Sequence, residues 1–162
     1  MARHTFFSFH HQKDNWRAGQ VRNSWVTQDR IDAGFWDAAE WEAVKKKDKA
    51  TIQKWIDEQM QGTSVTVVLI GSQTPTREHV GYEISQSHIL RKGMLGIYIH
   101  ALKNKEGMTD TKGANPFNNW SVTQNGQKVS LATLYPTYDW VSDNGRTSIG
   151  NWIEAAAKKA GR

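Results

Sequence analysis

The chain has 162 residues, 38% hydrophobic and 23% charged, with eight Trp and a formal net charge of +5. That length suits one ordinary domain, and the composition excludes a disordered chain and can supply a sizeable core. The absence of cysteine excludes disulfides, thiol nucleophiles and thiolate metal sites. The N-terminal MARHTFFSFHHQKD has too short an apolar run for a signal peptide, and no segment approaches the roughly 20 apolar residues that span a bilayer, so a cytoplasmic protein without a membrane anchor is expected. Positive charge can attract nucleic acid or a small anion. The basic run Lys45, Lys46, Lys47 and Lys49, however, is interrupted by Asp48 and flanked by Glu40 and Glu42, which reads as a solvated face, and nucleic-acid binding is not expected.

Residues 5–9 read as an aromatic strand, followed by a polar loop and a helix, capped by Asp14 or Asn15, that carries Trp16, Val21 and Trp25 to about residue 26. Residues 27–47 mix aromatic residues with acids and fit either a short strand with a helix or an ordered connection. Ile52, Trp55, Ile56, Gln59 and Met60 recur at helical spacing, which predicts an amphipathic helix over 49–61 stopped by Gly62. Val65, Val67, Val68, Leu69 and Ile70 form the β-branched run of a strand covered on both faces. The polar turn 72–76 then leads into a helix over 77–92. Residues 94–102 predict a second buried strand, 104–127 a long loop and 131–135 a last strand. Ile149, Trp152, Ile153, Ala156 and Ala157 predict a final helix with a basic end. Strands alternating with helices predict a single α/β domain over 1–162 with a parallel sheet.

In a flavodoxin-like strand order the first strand lies beside the strand at 65–70, and the crevice at that switch point collects two loops. One brings Ser8, Phe9, His10 and His11, the other Ser72, Thr74, Arg77, His79 and Glu83. No Gly-rich phosphate loop and no G-x-S-x-G elbow is present. His10 and His11 are adjacent on an extended segment and point apart, with no carboxylate at ligand spacing, so no metal is expected. His79 and Glu83 are i, i+4 neighbours and fit a simple surface pair. The competing reading is catalytic. Val80 and Ile84 mark the buried stripe of that helix, and Glu83 lies at its edge near the strand's carboxyl end, where a half-desolvated carboxylate faces a ligand.

The blocks HTFFSFHHQKD, VRNSWVT, TSVTVVLIGSQT, R-x-x-V-x-Y-E-I-x-x-S at 77–87, GIYIHALKNKEG, KGANPF and YDWVSDNG, in that order, resemble the TIR-like proteins of the Thoeris antiphage system, the ThsB family, over nearly the whole chain. The resemblance implies a flavodoxin-like, TIR-like three-layer sandwich with a central parallel sheet flanked by helices. It also implies an enzyme that, on infection, converts NAD into a cyclic ADP-ribose isomer, a second messenger that activates a separate effector. NAD is then substrate and no cofactor is implied. By position, Glu83 matches the catalytic glutamate, Phe7, Ser8, Phe9 and His10 match the segment lining the nucleotide pocket, and Ser72, Gln73 and Thr74 match the loop after the third strand. Arg77 is placed either for the pyrophosphate or for bulk solvent. Position 79 is His where these proteins commonly carry Trp, and the segment after NPF is shorter. A phage-derived trigger and self-association are further implied partners. The alternative is a non-catalytic TIR-like binding module that recognises a phage component or a partner protein.

Overall fold

All six residues of β3 (Val65–Ile70) are buried, as a β-branched run must be when both faces of its sheet are covered. The computed structural model describes residues 4–26, 31–33 and 43–162. Around β3 it places β1 (His4–Ser8), α1 (His11–Val26), β2 (Ile31–Ala33), α2 (Lys49–Met60), α3 (Glu78–Ile89) and β4 (Gly93–Tyr98). A hairpin of β5 (Ser121–Gln124) and β6 (Gln127–Ser130) follows, then a short turn of helix α4 (Leu131–Leu134), β7 (Thr137–Asp139) and α5 (Gly145–Lys159). The sheet runs β2-β1-β3-β4-β7 with every pair parallel. This is the doubly wound α/β order, with its switch point between β1 and β3.

The period-2 alternation of the strands decides which layer each side chain joins. Phe7, Val65, Val67, Leu69, Leu95 and Ile97 pack with Val21, Trp25, Ile149 and Ile153 of α1 and α5. On the other face Val68, Ile70 and Met94 pack with Val80 and Ile84 of α3, and Phe6 packs with Ile56 and Met60 of α2. Among the described residues no helix is long and apolar enough to cross a membrane.

Several expected elements differ from those observed. Where a strand is expected over 131–135, residues 131–134 form the helical turn α4 because the Ser130 side chain accepts the Ala132 N–H at 3.2 Å, an N-cap that wins over strand propensity. The last strand begins beyond Pro136. The strand expected over 94–102 ends at Tyr98. The expected long loop holds a hairpin whose turn residues Asn125 and Gly126 both have positive φ, 51° and 76°, the Asn-Gly signature of a tight hairpin. α1 starts at His11 and is capped by neither Asp14 nor Asn15: the His10 ring Nδ1 accepts the Lys13 N–H at 3.2 Å. Its buried stripe is Asp14, Arg17, Ala18, Val21 and Trp25, while Trp16 is 55% exposed. Of the stretch left open by its sequence, residues 31–33 are a strand, and 27–30 and 34–42 lie outside the described residues.

Candidate active site

Two periodicities meet at Glu83. On α3 the residues buried against the sheet are Val80, Glu83, Ile84 and Ser87, one helical face. On β1 the alternation that sends Phe7 toward α1 turns Ser8 toward α3, and Ser8 is paired in register with Val68. The Ser8 hydroxyl donates to Glu83 Oε1 at 2.6 Å. Beneath it, Ser87 Oγ donates to the Glu83 carbonyl at 2.7 Å and lies 2.7 Å from Thr66 Oγ1 on β3. Glu83 is fully buried and its Oε2 has no hydrogen-bond partner among the described residues. Burial pushes its carboxyl up to about 8, against the opposing pull of the Ser8 hydrogen bond. The group is therefore largely protonated at neutral pH. The carboxyl is closed off from solvent in this structure.

The simple His79–Glu83 surface pair is not what forms. His79 Nε2 lies 3.2 Å from the Phe9 carbonyl, which can only accept, so this nitrogen carries the proton and the ring joins the two crevice loops. The His11 ring lies tilted against the Phe9 ring, centroids 4.2 Å apart at 45°, and stacks on the His79 ring at 5.7 Å. Burial first, and then neighbouring positive groups, lower the His11 imidazole to about 3; burial lowers that of His79 to about 4. Both are neutral at physiological pH, so the histidines contribute shape and polarity here, not charge.

The remaining expected residues divide. Phe7 is fully buried against Trp25, ring centroids 6.4 Å apart at 70°, on the sheet face opposite Glu83, so it does not line the crevice. The Phe9 ring also joins that core, and what it offers the crevice is its carbonyl. His10 serves as the α1 cap. Thr74 is buried and accepts the Gly71 N–H at 2.8 Å, which fixes the loop, while Ser72 donates to Asp110 at 2.7 Å. Both hydroxyls are thus engaged within the scaffold. Arg77 sits at the N-terminus of α3 with no hydrogen-bond partner at Nε among the described residues. With Lys45, Lys49, Ile52, His79 and Tyr82 it lines a cavity of about 410 Å³ between α2 and α3. A larger cavity, about 580 Å³, is lined by Met94, Pro136, Tyr138 and Trp152 at the N-terminal ends of β4 and β7. Strand polarity favours the smaller one, because ligands in such sheets bind beyond the strands' carboxyl ends.

One feature of the site has no counterpart in the sequence reading. Asp14 and Arg17 are both buried and lie 3.6 Å apart. The Arg17 guanidinium also donates to the Leu102 and Met108 carbonyls at 2.8 and 2.9 Å. Lys13 pairs with Asp110 at 3.3 Å, the same carboxylate that takes the Ser72 hydroxyl. The start of α1 is thereby tied to the loops after β3 and β4. The Asp14 carboxylate rests directly on Gly71, where an added Cβ would come within 2.1 Å of Oδ2. Gly71→Ala is expected to destabilise the fold by about 1–3 kcal/mol through this overlap. Urea unfolding checks it, and an unchanged midpoint would show that the loop yields freely.

Among the described residues no three His, Asp or Glu side chains gather as a metal site. A family profile described as "Thoeris protein ThsB, TIR-like domain" matches residues 6–104, which span β1 to the loop after β4. A Bacillus cereus (strain MSX-D12) protein named "Putative cyclic ADP-D-ribose synthase ThsB1" is 35% identical to this chain, over 94% of it and the whole of that relative.

Proposed function

We propose, starting from the fact that this chain belongs to the Thoeris ThsB family of TIR-like domains, that it is an enzyme that cleaves NAD and closes the ADP-ribose part into a cyclic isomer. The observation that carries the reading is Glu83: a buried carboxyl at the switch point, with one oxygen held by Ser8 and the other without a hydrogen-bond partner among the described residues. A pure scaffold gains nothing from burying such a group. The similarity to the relative named "Putative cyclic ADP-D-ribose synthase ThsB1" supports the same assignment.

In this reaction the bond from ribose C1′ to the nicotinamide nitrogen breaks, and its electron pair leaves with nicotinamide. Positive charge develops at C1′ in an oxocarbenium-like transition state, which an ionised Glu83 stabilises. The bound nicotinamide ring is itself cationic, so its arrival favours loss of the proton that burial holds on Glu83. A nucleophilic atom of the same ADP-ribose then bonds to C1′, any proton it carries passing to the ionised Glu83, provided that water is excluded and the dinucleotide is held folded. In this reading the pyrophosphate falls to Arg77, a choice supported by its position at the N-terminus of α3 and by its lining the cavity beside that helix. The product acts as a diffusible messenger for a separate effector in the cytoplasm. The whole chain works as one TIR-like domain, triggered by a phage-derived component and completed by self-association.

The test is mass spectrometry of small molecules from phage-infected cells that express this protein or its Glu83→Gln variant. Nicotinamide and a cyclic ADP-ribose-sized product are expected with the parent and not with the variant. If neither yields product while both still protect the cells, catalysis is wrong, and the chain is a binding module that recognises a phage component or a partner.

A further inference from the structure

We propose that Ser8 is a positioning residue for Glu83, whose hydroxyl proton fixes the carboxyl's orientation and leaves Oε2 as the oxygen that meets the ribose. The inference rests on the reading of Glu83 as the carboxylate that faces NAD. It departs from the resemblance, which placed Ser8 among the residues lining the nucleotide pocket.

A hydroxyl has one proton, and that of Ser8 is directed at Oε1 over 2.6 Å, both residues being fully buried. Neither end of this contact is free to drift. Ser8 closes β1 in the parallel ladder opposite Val68, and the Glu83 backbone is held by Ser87, which in turn contacts Thr66 on the neighbouring strand. The side chain of Glu83 has several torsions between that fixed backbone and its carboxyl, so something must select one orientation. The Ser8 hydrogen bond makes the two oxygens inequivalent: one is engaged, the other has no partner among the described residues. A bond from a neutral donor also favours the ionised carboxylate over the neutral acid, which opposes the effect of burial. Losing Ser8 therefore changes both where the charge sits and when it is present.

The experiment titrates the Glu83 carboxyl by NMR in protein carrying ¹³C-labelled glutamate, with Glu83→Gln identifying the resonance. Ser8→Ala is compared with the pair Ser8→Thr and Ser8→Val, which share a shape and differ in the hydroxyl. In Ser8→Ala and Ser8→Val the Glu83 midpoint is expected about one pH unit higher, and in Ser8→Thr close to the parent. In NAD turnover Ser8→Ala is expected to lose about tenfold in kcat with little change in KM, with Ser8→Thr restoring most of it. An unmoved midpoint in both variants lacking the hydroxyl, or a rise in KM alone, overturns the proposal. If the parent releases no nicotinamide but the midpoint moves as expected, the enzymatic reading fails and the control of the Glu83 carboxyl by Ser8 stands.

Discussion

Glu83→Gln is expected to lower NAD cleavage by about 10³-fold while making the folded protein more stable than the parent at alkaline pH. The activity loss follows from removing the charge that faces C1′ in the proposed reaction, because glutamine keeps the shape and can still accept the Ser8 hydrogen bond. The stability gain follows from proton linkage. Burial raises the Glu83 carboxyl from 4.5 to about 8. Between those values the folded chain holds a proton that the unfolded chain has released, so stability falls as pH rises through this window. At about 1.4 kcal/mol per unit the full effect has an upper bound of roughly 5 kcal/mol, and relaxation around the charge brings it to about 2–3 kcal/mol. Glutamine does not titrate, so the variant lacks this slope. Thermal melts of both proteins at about pH 5, 7 and 9 measure it as a widening gap in Tm. A constant gap would mean that Glu83 is already ionised in the resting fold, and the site would then be charged before substrate arrives.

This coupling of function to instability is why the sequence signalled Glu83 at all. A carboxylate in phase with Val80 and Ile84 breaks the local rule that a buried stripe is apolar, and such breaks concentrate at functional sites. The β3 run, the helix over 49–61 and the alternation of strand and helix were legible for a similar reason: each carries a long, unmixed period. The failures lie where the period is short or the stabilising group is distant. The four residues of α4 carry no helical pattern, and the Ser130 cap overrides their β propensity. The β5–β6 hairpin was announced by Asn125 and Gly126, a signal hidden within a segment rich in turn residues. The parity of β1 was also readable. Phe6 and Ser8 must face one way, Phe7 and Phe9 the other, and on parity alone Phe7 belongs outside the pocket that holds Ser8. What no local pattern contained is the partner set of Arg17, two carbonyls some ninety residues further along the chain. At most its place on the Ala18, Val21, Trp25 face marked it, with Asp14, as a charge on a buried stripe.

Arg17→Ala is expected to cost about 3–5 kcal/mol near neutral pH, more than a surface arginine by several-fold. Burial is the main reason that the Asp14 carboxyl lies as high as about 6, and Arg17 is the first group opposing it. Without the guanidinium, Asp14 is left against the Gly71 backbone with Lys13 as its nearest remaining compensation, and the Leu102 and Met108 carbonyls lose their donors. Arg17→Lys should recover little, since one ammonium cannot reproduce a planar fork that serves two carbonyls and a carboxylate. The pH dependence separates the two losses. A carboxyl raised in the fold is stabilising to neither state below its unfolded value, 3.8, where both forms are protonated. There only the lost carbonyl bonds remain. As pH rises through the Asp14 range the uncompensated charge appears, so the deficit of Arg17→Ala grows toward neutrality, and Asp14→Asn in the same chain should remove that growth. Urea unfolding at about pH 4 and pH 7 reads both quantities. A deficit below about 1 kcal/mol at pH 7, or one that ignores pH, would mean that the buried pair contributes only packing. A large, pH-dependent deficit would identify the Asp14–Arg17 pair, joined through Lys13 and Asp110 to Ser72, as the tie that holds the α1 and β3 loops at the crevice where Glu83 waits.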